Sequence, residues 1–376
     1  MKIKKFSFSD PYESGWNLSP VEFNDRMNLL VGATGSGKTR LLNMLMNIGS
    51  AVVQGNRSLT GKWAMEFETE GHLFLWKYDG HAKKNGEPIH MFESLSEIDK
   101  NDGVSTIFER NSDGFFFEGA RLPKLGAKNL GINLLKEEDA IKPAYSGFRL
   151  LMRRSFSGRE LDDASAISAY PYALANKLSE QRRKSLGDVH FSALSLNGKL
   201  YILKKFFPRI FESIVARYRS VFPDVININI GAAGRHLGVA IDAPLVLIQE
   251  RNVQSPTQIG DISSGMLKVL LMLADIATLP RGSVYLVDEY ENSLGVNAID
   301  FFPEVIIDSD HIQFMLTSHH PFLINRIPVD DWLVFSRKGS DIRVTFGDVL
   351  SERYGSSKQQ RFVQLLNDPL YTGKGD

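Results

Sequence analysis

The stretch Gly32-Ala33-Thr34-Gly35-Ser36-Gly37-Lys38-Thr39 constrains this chain more than any other. It is a complete G-x-x-x-x-G-K-[ST] string, and its flanks give it meaning. Before it runs Met27-Asn-Leu-Leu-Val31, an apolar segment that reads as a buried strand. After it, Leu41, Leu42, Leu45, Met46 and Ile48 recur at three- and four-residue intervals, which predicts a helix from Thr39. Between strand and helix, glycines let successive backbone N–H groups point inward around phosphates, and the helix amino terminus adds a favourable dipole. Lys38 is expected to reach the β- and γ-phosphates and the Thr39 hydroxyl to ligate Mg²⁺. Residues 32–40, Arg40 included, are thus candidate contacts of a bound nucleotide, with ATP and Mg²⁺ as the expected cofactors.

A phosphate loop of this kind needs a carboxylate on a neighbouring strand to hold the metal. Val284-Tyr-Leu-Val287-Asp288-Glu289 supplies one: four apolar residues, then two acids where the strand emerges. Asp288 is expected to hold Mg²⁺ through its water shell, and Glu289 to polarise the attacking water as general base. Asp288 comes 250 positions after Lys38, a spacing that suits two halves of one core separated by an insertion. Two further motifs accompany the pair. Asp261-Ile-Ser263-Ser264-Gly265-Met266 opens an apolar helical stretch and reads either as an anion site or as an ordinary serine N-cap. Thr317-Ser318-His319-His320 closes the strand Ile312–Leu316, and a histidine placed there is able to contact a γ-phosphate.

The remaining pattern predicts strands over 1–31, hairpins at 63–78 and 104–118, and mostly helical chain over 137–222, with Pro208 breaking one long apolar face. Strand character returns at 225–230, 243–249, 283–287, 312–316, 332–336 and 341–346. The expected fold class is α/β: a P-loop core with a mixed sheet, an antiparallel β subdomain and a helical insertion. Three segments follow: 1–136 with the loop and hairpins, a basic helical insertion over 137–222, and 223–376 with the later motifs.

Composition narrows the chemistry. The 376 residues include no cysteine, which excludes disulfides, thiolate zinc sites, iron–sulfur clusters and a thiol nucleophile. The apolar run Leu267–Leu279 contains Lys268 and Asp275 and is too short for a bilayer, and no signal peptide precedes the first strand, so a cytoplasmic protein with no membrane contact is expected. Lys+Arg and Asp+Glu balance at 44 each, yet the balance is uneven. Residues 142–220 carry 15 Lys/Arg against 6 Asp/Glu, leaving an equal negative excess elsewhere. Arg153, Arg154, Arg182, Arg183 and Lys184 lie in that window. They read either as a solvated helical face or as a docking surface for nucleic acid or an acidic partner.

Taken in order, the phosphate loop, insertion, Ser-Ser-Gly-Met, apolar-Asp-Glu, Glu291-Asn292-Ser293-Leu294 and Thr-Ser-His resemble the ABC-type ATPase heads. Nearest are the bacterial relatives of RecF, of SMC proteins and of OLD-family ATPases, in the wider AAA family. The resemblance covers roughly residues 1–50 and 225–350. It implies that Ser263, Ser264 and Gly265 form the signature loop that closes on ATP held by another subunit. It further implies that Asn292 and Ser293 line the dimer seam, that His319 is the switch histidine and that Glu289 is the catalytic glutamate. Two composite sites in a homodimer or higher oligomer follow. The signature departs from Leu-Ser-Gly-Gly-Gln, which argues against a transporter ATPase, and the glutamine that normally opens the insertion has no clear counterpart. Several ATPases of this group act in phage or plasmid defence beside a nuclease or other effector. Only 57 residues follow His319, too few for a fused Toprim nuclease, and Asp308-Ser-Asp310 precedes a strand and reads as a polar loop. An effector is therefore expected on a separate polypeptide. Two alternatives remain: an ATP-dependent DNA-binding repair or recombination factor, and a scaffold that binds nucleotide without hydrolysing it.

Overall fold

The computed structural model describes every residue except 56–58, 83–87, 125, 127, 182–183, 239–241, 352–357, 369–370 and 372–376. The chain divides into two compact units. The first comprises Met1–Arg154, Gly282–Tyr290 and Asp310–Asp376, and the second Ser155–Arg281 and Glu291–Ser309.

The first unit begins with β1 (Lys2–Ser9), β2 (Asn17–Glu22), β3 (Met27–Gly32), β4 (Gly61–Thr69), β5 (His72–Ala82), β6 (Pro88–Ile98), β7 (Val104–Arg110), β8 (Phe115–Phe117), β9 (Ala120–Leu122) and β10 (Leu151–Arg154). Three strands, β11 (Val225–Ala232), β12 (Pro244–Glu250) and β13 (Thr257–Gln258), belong to the second unit. The chain then returns with β14 (Ser283–Val287), β15 (Ile312–Thr317), β16 (Trp332–Lys338) and β17 (Asp341–Phe346).

Among the described residues the first unit holds a fourteen-stranded sheet, ordered β10-β14-β15-β3-β16-β17-β2-β1-β4-β5-β6-β7-β8-β9. From β10 to β16 neighbouring strands are parallel. β3, β14 and β15 are buried along their whole length, as strands covered on both faces must be, which explains their mostly apolar sequence; the polar Asn28 and Gln313 have hydrogen-bonded side chains. Beyond β17 most pairings are antiparallel, and the β4–β5 and β7–β8 hairpins turn where Gly71 and Gly114 predict. The helix Lys38–Gln54 follows β3 and buries Leu41, Leu42, Leu45 and Ile48. Parallel strands deliver their carboxyl ends to one edge of the sheet, the usual place for a ligand in such a fold.

The stretch expected to be mostly helical is so, with one strand inside it: residues 151–154 form β10, the edge strand beside β14. Four residues with two arginines carry no readable period, and their strand state comes from the parallel ladder with Val284–Val287. Elsewhere in that stretch the helices Leu196–Phe206 and Pro208–Val221 are separated at Pro208, as its missing N–H requires.

In the β subdomain Glu93 is fully buried on β6 and accepts hydrogen bonds from Trp76 Nε1 at 3.2 Å and Gly131 N at 2.9 Å. Burial pushes its carboxyl up to about 7 from an ordinary 4.5, against the opposing pull of those hydrogen bonds and of Arg110. The folded protein therefore holds this proton over a range where the unfolded chain has lost it. Glu93's contribution to stability is expected to fall as pH rises from 4.5 to about 7 and to level off above. Urea denaturation of wild type and Glu93→Gln across that range checks it: the difference between them carries the slope.

The second unit is helical around the small antiparallel sheet β11-β12-β13. Asn197 joins its layers, donating to Ser165 O at 2.8 Å and accepting from Val246 N at 2.8 Å. Lys199 and Asp275 form a buried ion pair at 2.6 Å, with side chains 5% and 0% exposed. No helix among the described residues is long and apolar enough to cross a membrane.

Candidate nucleotide-binding site

The phosphate loop joins β3 to the helix Lys38–Gln54, with Gly37 at the helix N-cap in a left-handed conformation, φ 105°. A Cβ there would meet only the movable tip of Ile342 on β17, so it is the backbone angle that demands glycine. Lys38 is buried, and its ammonium donates to Gly32 O at 2.8 Å and Ala33 O at 3.0 Å, curled back over the loop it follows.

Asp288 and Glu289 stand just past β14, and Thr317 at the end of β15, the strand between β14 and β3. That order brings the acids to the loop. Thr39 Oγ1 donates to Asp288 Oδ1 at 2.9 Å, and Thr317 Oγ1 donates to the same oxygen at 2.8 Å. Thr317 also accepts from Glu289 N at 2.7 Å, while its carbonyl accepts from Tyr290 N at 3.1 Å. One threonine thereby fixes both acids. Glu289 sits at φ 48°, a turn that departs from strand geometry directly after Asp288. Loop, Glu289, Thr317 and His319 line a common cavity of ≈ 340 Å³.

Sequence reasoning missed several parts of this site. Thr317 was visible only as a motif member. Arg337 of β16 lines the cavity and donates to Gly35 O at 3.2 Å, although nothing in its surroundings marks it. Trp16 lines it as well, with the Arg40 guanidinium 4.6 Å from its ring centroid. Arg153 donates from Nη2 to Asp288 Oδ2 at 2.9 Å.

The signature segment lies in the second unit. Ser263 is the N-cap of the helix Ser264–Thr278, accepting from Met266 N at 3.2 Å. Ser264 is exposed. Gly265 is pressed against the segment after the acids: a Cβ on it would lie 2.5 Å from Ser293 O. Lys268, fully buried, donates to Asn292 O at 2.9 Å and lies over Phe156 at 4.5 Å. Asn292 and Ser293 are thus fastened to the signature helix, and any larger residue at Gly265 disturbs that internal contact as well as any external one.

Of the basic residues, Arg153 and Arg154 belong to β10, and Arg153 is committed to Asp288. Lys184 lies over Phe206 at 5.5 Å and donates to Gln181 O. Arg182 and Arg183 fall outside the described residues.

Residues 91–325, more than half of the chain, match the AAA_21 family model, described as AAA domain, putative AbiEii toxin, Type IV TA system. The chain belongs to this family. The AAA_21 match takes in β10, the signature helix, both acids and Thr317–His319, while the phosphate loop precedes it. No curated protein matches the chain. Among solved structures, the SMC head bound to the C-terminal winged-helix domain of ScpA is similar over 92% of this chain and 97% of its own, at 12% identity and TM-score 0.52. An SMC head domain from Thermotoga maritima matches over 92% of this chain and 98% of its own at 12% identity, TM-score 0.41. An SMC head with an extended coiled coil, bound to a ScpA domain derived from Pyrococcus furiosus, matches over 94% and 99% at 12% identity, TM-score 0.48. The family and the first of these give the chain the mixed α/β P-loop fold of an ABC/SMC-like ATPase head, and with it nucleotide binding.

Proposed function

We propose that this chain is an ATP-hydrolysing, Mg²⁺-dependent ABC-type head that assembles through composite sites and conveys its nucleotide state to a separate effector in defence against phage or plasmids. The observation that carries this reading is the convergence of Thr39, Asp288, Glu289, Thr317 and His319 at the loop end of three adjacent parallel strands. The defence role has a narrower support, the toxin–antitoxin wording of the family.

The donors suit a hard divalent cation: a hydroxyl and a carboxylate held 2.9 Å apart. Thr39 and Asp288 would hold Mg²⁺, which when bound supplies charge neutralisation across the β- and γ-phosphates. Lys38 exchanges its loop carbonyls for phosphate oxygens. Glu289 takes the proton of the attacking water, and Thr317 keeps its backbone in register with Asp288. His319 meets the γ-phosphate from the end of β15. Ser263, Ser264 and Gly265 face nucleotide held by a second copy, so each complete site needs two chains.

Lys38→Ala is expected to weaken ATP binding about 10- to 100-fold, the loss of one charge-assisted contact. Equilibrium titration with a fluorescent ATP analogue measures it. Unchanged affinity would remove Lys38 from the site.

The reading as a DNA-binding factor keeps one supporting observation. Lys204 lies 5.6 Å from the Phe211 ring, and Lys205 5.4 Å from Phe206, a basic–aromatic cluster in the second unit. Charge reversal of Lys204 and Lys205 is expected to abolish salt-dependent duplex binding if this reading holds. A gel-shift series over ionic strength decides it.

A further inference from the structure

The Asp288 carboxylate is 8% exposed, and both its oxygens are engaged. Oδ1 receives two hydroxyls, from Thr39 and Thr317, while Oδ2 receives a cation, Arg153 Nη2 at 2.9 Å. A carboxylate this withdrawn from water requires a compensating charge, and Arg153 provides it. The strand β10 delivers the guanidinium: Arg153 stands opposite Leu286 in the parallel ladder, and Arg154 O accepts from Asp288 N at 2.9 Å. The fork is only partly used, since Arg153 Nε is buried without a hydrogen-bond partner among the described residues. A guanidinium is built for two-point contact with an oxyanion. Here one arm donates to Asp288, and the adjacent N–H makes no hydrogen bond among the described residues.

We propose that Arg153 is the resident counter-cation of the metal carboxylate: it holds Asp288 Oδ2 until a nucleotide-borne divalent cation takes its place, and its freed fork then turns to the phosphate oxygens. This inference rests on the ATP and Mg²⁺ reading above. Its physical basis is like-charge exclusion, because a guanidinium in contact with Asp288 repels a dication approaching the same group. The consequence is order of binding. Divalent cation alone is excluded, and the nucleotide brings it in. Arg153 is thus a positioning residue.

Mn²⁺ titrated into the full-length protein without nucleotide, followed by the electron paramagnetic resonance of the free ion, tests this. Wild type and Arg153→Lys are expected to bind Mn²⁺ weakly, and Arg153→Gln to bind it at least about tenfold more tightly. Adding Asp288→Asn to Arg153→Gln is expected to abolish the gain, which places the ion at that carboxylate. Equal Mn²⁺ affinity in wild type and Arg153→Gln overturns the proposal. Should Arg153→Gln be insoluble, the wild type decides, with the Mn²⁺ held by ATP alone subtracted: protein-bound Mn²⁺ as tight without ATP as with it overturns the proposal, and tighter binding with ATP supports it. A fluorescent ATP analogue is titrated in parallel. If it fails to bind wild type, the nucleotide reading fails, while the Mn²⁺ comparison still decides what Arg153 does.

Discussion

Glu289→Gln is expected to bind ATP as the wild type does and to turn it over about 10²- to 10⁴-fold more slowly. The substitution keeps the size and planarity of the side chain and removes its capacity to accept a proton from water. The backbone of residue 289 has anchors of its own: its N–H donates to Thr317 Oγ1 at 2.7 Å, and its φ of 48° belongs to the turn that carries the chain off β14. Neither depends on the carboxylate. Asp288, Thr39 and Lys38 keep their own partners. Phosphate release under saturating ATP, together with equilibrium binding of a fluorescent analogue, separates the two effects. A variant that hydrolyses at the wild-type rate would remove Glu289 from the role of general base.

Lys199→Met is expected to destabilise the helical unit by about 3–5 kcal/mol. Lys199 and Asp275 are among the most buried charges in the second unit, 2.6 Å apart and almost without solvent contact. Removing the lysine takes away the cation 2.6 Å from a carboxylate with no solvent contact, and losing one member of a buried pair costs far more than the pair contributes. Combining Lys199→Met with Asp275→Leu is expected to recover most of the loss, because an apolar pair of similar volume avoids burying any charge. Urea denaturation of the single and double variants checks both statements. A single variant within 1 kcal/mol of wild type, roughly the value of an exposed ion pair, would contradict the burial argument.

Sequence made the parallel core legible because its physics is local. A strand covered on both faces is mostly apolar, and Met27–Val31, Val284–Val287 and Ile312–Leu316 are apolar but for Asn28 and Gln313. The loop was legible because no other short string satisfies a phosphate cradle so fully. What stayed hidden depends on partners distant in sequence. β10 is a strand only because β14 lies beside it, and its Arg153 reads as surface charge until Asp288 is found 135 positions later. Arg337 reaches Gly35 across 302 positions. The need for glycine at 265 is set by Ser293 O, which no local pattern announces. The boundary between Tyr290 and Glu291, which assigns the acids to one unit and Asn292 and Ser293 to the other, follows from packing and has no compositional marker.

Gly265 is a poor probe of assembly for that reason, since substitution there strains the contact with Ser293 inside one chain. Exposed Ser264 is the better position. The most direct measurement is sedimentation velocity of Glu289→Gln, with and without Mg²⁺ and ATP. ATP is expected to double the particle mass, and adding Ser264→Arg to return the mass to its nucleotide-free value while ATP stays bound. Full occupancy by ATP with no change in mass would contradict the composite site.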